Sequence, residues 1–561
     1  MKRRYFIKST LKAGISLSLV GGFNPPCLFP TLHRFDIIIR NGQVLDGISD
    51  SSFKVDLGII GDRIEVLGRL LPDSAKVVID ATDKIVAPGF IDIHSHTDFE
   101  LLINPKAESK IRQGVTTELS GNCGGSTFPH KQTLTQYEKT IKKTLGIDFS
   151  WTDLKGYHAL MEKRGTAVNH ATLVGQGTVR QHIMGSERRA PTPDEMKEMR
   201  ELVAEAMEQG AFGISTGLEY TPDRFSSTEE VIELCRITSK YGGFYATHTR
   251  SEDTQLLEAV GEAIHIAQAA ELPLQISHLK AAGKRNYYKI PMVFDLIERA
   301  RDRGLEVTAD RYPYTAFATS LSIMFPIWAL DGGQEKFMER LNDRDLRTKM
   351  KEDTLIKVRG NNSWESMLIQ SVISKENKHL VGKYILEAAE NAQQDPYEFA
   401  CDLLISEGGD LSVIGFGMGE ENTSLILKHP LVMLGSDGVA LATYGKLSEG
   451  IPHPRNYGSF PRFLGKYVRE EKLLPLPEAI KKMTSMPAKK LGLKKRGILA
   501  KGFYADIVVF DPDTVTDLAT YTEPALYSKG IDTVIVNGTV VIDRGKHSGA
   551  LPGKVLHRTN S

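Results

Sequence analysis

Eight short apolar runs, each followed by a helix-like pattern, predict a parallel (β/α)8 barrel in the middle of this 561-residue chain. Two β-rich segments flank the barrel and predict a small β-sandwich domain built from both ends of the chain. Residues of metal-binding type follow several of the eight runs, at the barrel end where this fold carries its chemistry. The sequence therefore predicts an α/β fold with a functional site at the mouth of the barrel.

The composition is that of a globular protein and excludes several other classes. Hydrophobic residues make up 41% of the chain, charged residues make up 25%, and 70 basic residues balance 70 acidic ones. This balance gives no indication of a nucleic-acid partner or of a polybasic membrane surface. No segment after the N-terminus approaches the roughly 18 apolar residues that a membrane span needs. We therefore expect a small-molecule partner and no stable membrane span, and the sequence leaves the oligomeric state open.

Residues 1–32 have the features of a bacterial twin-arginine signal peptide. Lys-Arg-Arg at 2–4 precedes a weakly apolar stretch at 13–22. We expect these residues to lie outside the fold and the protein to be exported to the periplasm by the twin-arginine route; a disordered basic N-terminus is the alternative. Cys27 follows two prolines rather than a lipid-attachment motif. The chain has only four cysteines, which predicts no disulfide framework.

The β-sandwich domain is expected to combine residues 33–86 with residues 491–561. The first segment contains short β runs that end in turn sequences, such as the run at 35–39 followed by Asn-Gly. Similar short β runs recur at 505–510 and at 533–536.

The barrel is expected to occupy residues 87–490. Its eight runs begin near Phe90, Val115, Ala171, Phe212, Phe244, Leu274, Leu305 and Leu431. One intervening helix has clear boundary signals, because Thr192 can cap it, Pro193 lies in its first turn and Gly210 ends it. More than a hundred residues separate the seventh and eighth runs. We therefore interpret residues from about 330 to about 428 as an insertion before the eighth strand.

His94 and His96 end the first run of the barrel. Residues two apart on a strand point to the same side, so both imidazoles are aimed at one point. Imidazole nitrogens in this arrangement suit a divalent metal ion. A chance pair would explain the motif if it stood alone.

Further residues with metal-ligand chemistry follow four other runs. They are Cys123 after the second run, His248 after the fifth, His278 after the sixth and Asp437 after the eighth. Each has an ordinary structural explanation on its own, but all of them converge at one mouth if the barrel forms. This convergence predicts a metal centre.

The sequence Pro88-Gly89-Phe90-Ile91-Asp92-Ile93-His94-Ser95-His96 resembles the first-strand motif of the amidohydrolase superfamily. Five further segments resemble its D-aminoacylase (N-acyl-D-amino-acid deacylase) family: Gly-Asn-Cys-Gly at 121–124, Thr-His-Thr-Arg at 247–250, Ser-His-Leu-Lys at 277–280, Tyr-Pro-Tyr at 312–314 and His-Pro-Arg at 453–455. The resemblance covers nearly the whole chain after the signal. Many relatives bridge two metals with a carboxylated lysine on the fourth strand, but here residues 212–217 contain no lysine. The resemblance gives that bridging role to the Cys123 thiolate.

The resemblance implies Zn2+ at two overlapping sites. The tighter zinc would be held by Cys123, His248 and His278. The second site, which would bind zinc more weakly, would consist of His94, His96, Asp437 and the shared Cys123. Three nitrogen or sulfur ligands with an open fourth position are typical of catalytic zinc.

The resemblance also implies the roles of the remaining site residues. Asp437 would be the general base that takes the proton of water and delivers it to the leaving amine. Lys280 and Arg455 would bind the substrate carboxylate, for which the planar guanidinium is the better partner. Tyr314 and Ser320 would line the substrate pocket.

The implied reaction is hydrolysis of an N-acyl-D-amino acid to a carboxylate and a free D-amino acid. The segment at 315–328 contains no Lys or Arg, which favours a neutral or apolar side chain over D-Glu or D-Asp. A D-terminal dipeptidase and a cyclic amidase of the hydantoinase or dihydroorotase type are alternatives on the same scaffold. The absent fourth-strand lysine counts against a cyclic amidase. The presence of every ligand counts against a scaffold that has lost its chemistry.

Overall fold

A computed structural model describes residues 34–130, 139, 142–143, 146–360, 363–409 and 411–558. It confirms the predicted fold class, a (β/α)8 barrel with a small β-sandwich and an insertion before the eighth strand. The predicted signal peptide at 1–32 lies outside the described residues. Among the helices that the structure describes, none has the length and apolar character needed to cross a membrane.

The N-terminal segment consists of short strands joined by tight turns. They are β1 (Phe35–Arg40), β2 (Gln43–Val44), β3 (Phe53–Lys54), β4 (Asp56–Ile60), β5 (Arg63–Gly68), β6 (Ala75–Asp80) and β7 (Ile85–Pro88). The chain turns after β1 through Asn41, whose φ of 65° is in the left-handed region that asparagine tolerates. One sheet of the sandwich has the order β5-β4-β1-β6.

The barrel begins immediately after β7. Its first elements are β8 (Phe90–Asp92), α1 (Glu108–Ile111), β9 (Val115–Ser120), α2 (Leu154–Arg164), β10 (Asn169–Thr172), β11 (Val174–Gly175), α3 (Gln176–Met184) and α4 (Pro193–Glu208). They are followed by β12 (Gly213–Gly217), α5 (Thr228–Lys240), β13 (Phe244–His248), α6 (Leu256–Ala270), β14 (Leu274–Ile276), α7 (Lys289–Asp302) and β15 (Val307–Arg311). Helix α4 begins at the predicted cap, where Thr192 and Glu195 form a reciprocal capping box.

The inserted segment folds as a unit of its own. It contains β16 (Phe317–Ser320), α8 (Gln334–Asn342), α9 (Arg344–Gly360), β17 (Met367–Ser371), α10 (Ile385–Asn391), α11 (Pro396–Ser406) and β18 (Ser412–Gly415). Its antiparallel sheet has the order β16-β18-β17. The unit therefore begins earlier than the expected residue 330, because Phe317 already pairs with Gly415 outside the barrel. It also ends before residue 428, because α12 (Glu420–Lys428) packs against the eighth barrel strand.

The eighth strand closes the barrel. It is β19 (Val432–Leu434), and it is followed by α13 (Arg455–Arg462), a π-helical turn (Phe463–Glu470), α14 (Leu476–Met483) and α15 (Ser485–Leu491). Parallel pairing runs from β8 to β10 and from β11 through β15 to β19. Closure comes from a parallel bridge between Ser95 and Gly438, supported by the Asp437 N–H, which donates to the His94 carbonyl at 2.8 Å. The functional loops after the first and eighth strands are thereby hydrogen-bonded to each other.

The C-terminal strands complete the sandwich. They are β20 (Ile507–Phe510), β21 (Ile531–Val536), β22 (Thr539–Asp543) and β23 (Lys546–His547). They extend a second sheet in the order β23-β22-β21-β20-β7-β2-β3, so this sheet draws on both ends of the chain. The two sheets enclose a core of buried aliphatic residues that includes Ile37, Leu57, Ile507 and Val509.

Candidate metal centre and active site

Six side chains of metal-binding type lie at the C-terminal ends of the barrel strands. They are His94 and His96 after β8, Cys123 after β9, His248 at the end of β13, His278 after β14 and Asp437 after β19. The backbone at Cys123, His278 and Asp437 has positive φ values of 51°, 33° and 52°. Non-glycine residues adopt this region rarely, and such positions concentrate at functional sites.

The Gly-Asn-Cys-Gly turn brings the Cys123 sulfur to the centre of the mouth. Gly121 has a φ of 76°, and a Cβ atom there would lie 2.2 Å from the carbonyl oxygen of Leu173. Gly124 has a φ of 78°, and a Cβ atom there would lie 2.0 Å from a carboxylate oxygen of Asp223. Both glycines are therefore required by close approach as well as by backbone conformation.

Cys123 lies between imidazoles from different strands. Its Sγ atom is 3.5 Å from Nε2 of His94 and 3.4 Å from Nε2 of His278. Nε2 of His278 is also 3.0 Å from Nδ1 of His248. Burial alone would raise the pKa of the Cys123 thiol, but the His278 and His94 imidazoles hold that pKa well below its ordinary value. The geometry thus favours the thiolate, the form that binds metals.

Asp437 faces the two histidines of the first strand on one side and an arginine on the other. Its Oδ1 atom is 2.9 Å from Nε2 of His96 and 3.4 Å from Nε2 of His94. Its Oδ2 atom accepts a hydrogen bond of 2.6 Å from Nη1 of Arg455. Burial alone would raise the pKa of the Asp437 carboxyl, but Arg455 and the nearby His278 hold it well below its ordinary value.

These donors form three groups that share residues, and within each group the ligand atoms all lie within 4.8 Å of one another. The groups are His94-Cys123-His278, His94-His96-Asp437 and His248-Glu252-His278. Imidazole nitrogen, thiolate and carboxylate are the donor types that zinc prefers, so the set fits that metal. The structure brings together all six predicted ligands, but it links Cys123 most directly to His94 and His278. It also adds Glu252, which the sequence analysis missed.

A carboxylate lies behind three of the imidazoles. Asp310 is 3.0 Å from Nδ1 of His94, Glu252 is 2.9 Å from Nδ1 of His278, and Glu219 is 3.2 Å from Nε2 of His248. Carboxylates in this position fix the tautomer and orientation of a ligating histidine. The sequence signal for them was weak: all three lie at or just after barrel strands, among many other polar residues.

The two predicted carboxylate-binding residues are both buried and both already paired with acidic side chains. Nζ of Lys280 lies 2.6 Å and 2.7 Å from the two carboxylate oxygens of Glu252 and 2.7 Å from Nδ1 of His278. Arg455, the first residue of α13, pairs with Asp437. Both side chains line the cavity described below.

Of the two predicted pocket residues, the structure places only Ser320 on the cavity wall. Tyr314 is buried behind that wall, where its hydroxyl lies 3.1 Å from Oδ2 of Asp517. Tyr312 lies closer to the charged residues: its ring is 5.0 Å from the Arg455 guanidinium and 5.9 Å from Nζ of Lys280. Its buried hydroxyl has no hydrogen-bond partner among the described residues. Tyr314 is therefore not among the residues that line the cavity; its side chain contacts Asp517 and Arg462 instead.

A cavity of about 960 Å³ opens over these side chains. The barrel loops form one part of its wall, and the inserted segment forms the other with Phe317, Thr319, Ser322 and Ile323. Among the described residues that line it, Lys280 and Arg455 are the only lysine and arginine. A ligand in this cavity would therefore meet the candidate metal ligands, several carboxylates, and no lysine or arginine other than these two among the described lining residues.

Comparison with known proteins gives one consistent result. The profile of the amidohydrolase family matches residues 77–325 and 402–542. The D-aminoacylase of Alcaligenes xylosoxydans xylosoxydans is 35% identical over 525 residues, which span 94% of this chain and 98% of that protein.

Solved structures agree with the sequence matches. The N-acyl-D-glutamate deacylase of Bordetella bronchiseptica, solved with zinc and a phosphonate inhibitor, superposes with a TM-score of 0.80 at 32% identity and covers 94% of this chain and 100% of that one. A D-aminoacylase with a binuclear metal centre superposes with a TM-score of 0.79 at 36% identity, covering 93% of this chain and 100% of that one.

Proposed function

The chain belongs to the amidohydrolase family, and within it to the D-aminoacylases that hydrolyse linear amides, and we propose that it uses zinc to hydrolyse N-acyl-D-amino acids with neutral or apolar side chains. The products are a carboxylate and a free D-amino acid. The observation that carries the proposal is the convergence of thiolate, imidazole and carboxylate groups at the mouth of a barrel whose fourth strand, Gly213–Gly217, contains no lysine.

Cys123, His248 and His278 are proposed to hold the tighter zinc, and His94, His96 and Asp437 to form a second, weaker site that shares Cys123. The zinc in the deacylase structure and the binuclear metal centre of the D-aminoacylase structure support a metal centre at this position. When bound, zinc supplies a Lewis acid that lowers the pKa of water toward about 7 and polarises a carbonyl group.

Asp437 is proposed to be the general base. Arg455 holds one carboxylate oxygen, Oδ2, and the other, Oδ1, faces the cluster of donors. Because Arg455 keeps the carboxyl ionised at neutral pH, Asp437 can accept the proton of the attacking water. The same group then delivers that proton to the nitrogen of the leaving amine.

Arg455 is also proposed to bind the α-carboxylate of the substrate, with Lys280 beside it. The hydrogen bond to Asp437 uses only Nη1 of Arg455. A guanidinium has five N–H donors in a planar fork, so it can serve a second carboxylate at the same time. Lys280 is held by Glu252 within reach of His278, which places a second positive charge at this end of the cavity.

The lack of a cationic group on the inserted segment's side of the cavity supports a preference for neutral side chains. Phe317, Thr319 and Ile323 of this segment line the cavity and offer no positive charge to a second carboxylate. Burying an unpaired carboxylate against such a wall is costly. A D-glutamate or D-aspartate side chain would therefore bind poorly.

The test is a comparison of kcat/KM for N-acetyl-D-methionine, N-acetyl-D-glutamate and N-acetyl-D-aspartate, with a dipeptide ending in D-methionine as a further substrate. We expect the methionine derivative to be hydrolysed fastest. Faster hydrolysis of the acidic substrates would contradict the assigned side-chain preference. Hydrolysis of the dipeptide alone would replace the deacylase proposal by the D-terminal dipeptidase.

Export by the twin-arginine route is a separate proposal and rests on residues 1–32 alone. It predicts that the full chain expressed in a bacterium accumulates in the periplasm and that replacing Arg3 and Arg4 by lysine retains it in the cytoplasm. Unchanged distribution of the variant would overturn this proposal without affecting the proposed reaction.

A further inference from the structure

We propose that Lys357 of the inserted segment is a positioning residue for the metal centre and acts on His248 through Glu219. The inference rests on the proposed zinc site. Nζ of Lys357 lies 2.5 Å from Oε1 of Glu219, and Oε2 of the same carboxylate lies 3.2 Å from Nε2 of His248. A continuous chain of charge-assisted contacts thus runs from the insertion to a candidate zinc ligand.

The contact with Glu219 determines which ring nitrogen of His248 is available to bind a metal. A carboxylate can only accept a hydrogen bond, so Nε2 of His248 carries the hydrogen and donates it to Glu219. In the neutral imidazole that binds a metal, Nδ1 then carries no hydrogen, and this nitrogen lies 3.0 Å from Nε2 of His278. Glu219 therefore selects Nδ1 as the nitrogen that His248 offers to a metal.

Lys357 also forms an ion pair with the loop that follows His248. Its Nζ lies 2.8 Å from Oδ2 of Asp253, a buried residue five positions after the histidine. One ammonium group consequently joins the loop after the fourth strand, which carries Glu219, to the loop after the fifth. These loops flank His248 on both sides.

The other two carboxylates behind imidazoles are supported from within the barrel. Asp310 accepts from Nε2 of Gln275 at 2.7 Å, and Glu252 pairs with Lys280. Only Glu219, among these three, takes its partner from the insertion, across 138 residues of sequence. Metal retention at His248 is therefore coupled to the position of the insertion.

The lysine lies on a helix that packs one face into the inserted segment. Helix α9 buries Met350, Thr354 and Val358, which are spaced four residues apart and form its inner face. Lys357 directly precedes Val358, and its Nζ reaches both Glu219 and Asp253 from this helix. A shift of the insertion would therefore move Lys357 and with it the carboxylate of Glu219.

The test is the zinc affinity of Lys357→Met, measured by competition with a chromogenic chelator. Loss of the direct outer partner of a metal-ligating histidine costs about ten- to hundredfold in metal affinity, which is the loss we expect for Glu219→Gln. Lys357→Met acts one contact further out and should cost part of it, at least about threefold. Lys351→Met is the matched control, because Lys351 lies on the same helix but pairs with Asp395 and Glu398 inside the insertion. We expect the control to bind zinc like the unsubstituted protein.

Two further variants separate positioning from general stability. Lys357→Arg should restore most of the zinc affinity, and Glu219→Gln should weaken it with no additional loss when combined with Lys357→Met. Lys357→Met leaves the buried carboxylates of Glu219 and Asp253 unpaired, so the Tm of its metal-free form should fall below that of Lys351→Met, whose partners are more exposed. Zinc affinities are therefore compared at a temperature at which circular dichroism shows both variants to be folded. Unchanged zinc affinity in Lys357→Met, or an equal loss in Lys351→Met, would overturn the inference.

The outcome is independent of the proposed reaction, because zinc binding is measured without substrate. A weakened Lys357→Met in a protein without deacylase activity would leave this inference standing and remove the function. If the unsubstituted protein bound no zinc, both proposals would fall.

Discussion

Arg455→Ala is the substitution that best separates substrate binding from proton transfer. The arginine is 7% exposed, begins α13 and lies over the ring of Tyr312. Its guanidinium donates to Oδ2 of Asp437 at 2.6 Å, and we propose that it also binds the substrate carboxylate. The substitution therefore removes two interactions, only one of which depends on the substrate.

The expected magnitude follows from the type of contact. A hydrogen bond to a charged group contributes about 1.5 to 3 kcal/mol, which corresponds to about ten- to hundredfold in kcat/KM. A substrate with a free carboxylate loses the carboxylate contact and also the support of Asp437. A substrate whose carboxylate is amidated loses only the support that Arg455 gives to Asp437. The ratio of the two losses should thus be at least about tenfold.

The assay measures kcat/KM for N-acetyl-D-methionine and its amide in both proteins. Arg462→Ala serves as the control, because Arg462 lies on the same helix but pairs with Asp517 at 3.1 Å. The control should affect both substrates equally. Equal losses of acid and amide in Arg455→Ala would refute the assignment of Arg455 to the carboxylate and would leave only its contact with Asp437.

Three other substitutions test the remaining parts of the account. Asp437→Asn should keep the tighter zinc and lower kcat by at least about a hundredfold, because an amide cannot accept the proton of water; near-normal kcat would make Asp437 merely structural. Cys123→Ser should lose most zinc after dialysis together with activity, because a hydroxyl is a far poorer zinc ligand than a thiolate; full zinc content would exclude the bridging role. Phe90→Ala should lower the free energy of unfolding by about 3–5 kcal/mol, since the buried ring stacks on Phe460 with centroids 5.6 Å apart. Denaturant unfolding measures that loss, and a change below about 1 kcal/mol would mean that the barrel relaxes around the cavity.

The barrel was readable from the sequence because its strands are short apolar runs bounded by strong turn signals. The runs near Phe90, Val115 and Phe244 are strands at those residues in the structure. The cap at Thr192 was equally readable, since its partner Glu195 is only three residues away. These features depend on local pattern, which a single sequence carries in full.

The surroundings of the candidate ligands were not readable in the same way. The contact between Lys357 and Glu219 spans 138 residues and follows only from how the insertion packs on the barrel. Tyr312 and Tyr314 are two residues apart and have the same side-chain chemistry, so only the path of the backbone decides which one faces Arg455 and Lys280 and which one faces Arg462. The start of the insertion at Phe317 likewise depends on pairing with Gly415, almost a hundred residues later.

The most direct test of the account is amine release from N-acetyl-D-methionine and N-acetyl-L-methionine, together with ring opening of dihydrouracil monitored by the loss of its ultraviolet absorbance. Each is measured before metal removal, after it, and after zinc is restored. Three fixed contacts, the carbonyl at the metal centre, the carboxylate at Arg455 and the side chain against the wall near Phe317, leave room for one configuration at the α-carbon. The account predicts hydrolysis of the D isomer alone, lost without metal and recovered with zinc. Equal hydrolysis of the L isomer, opening of dihydrouracil, or activity that survives metal removal would contradict it.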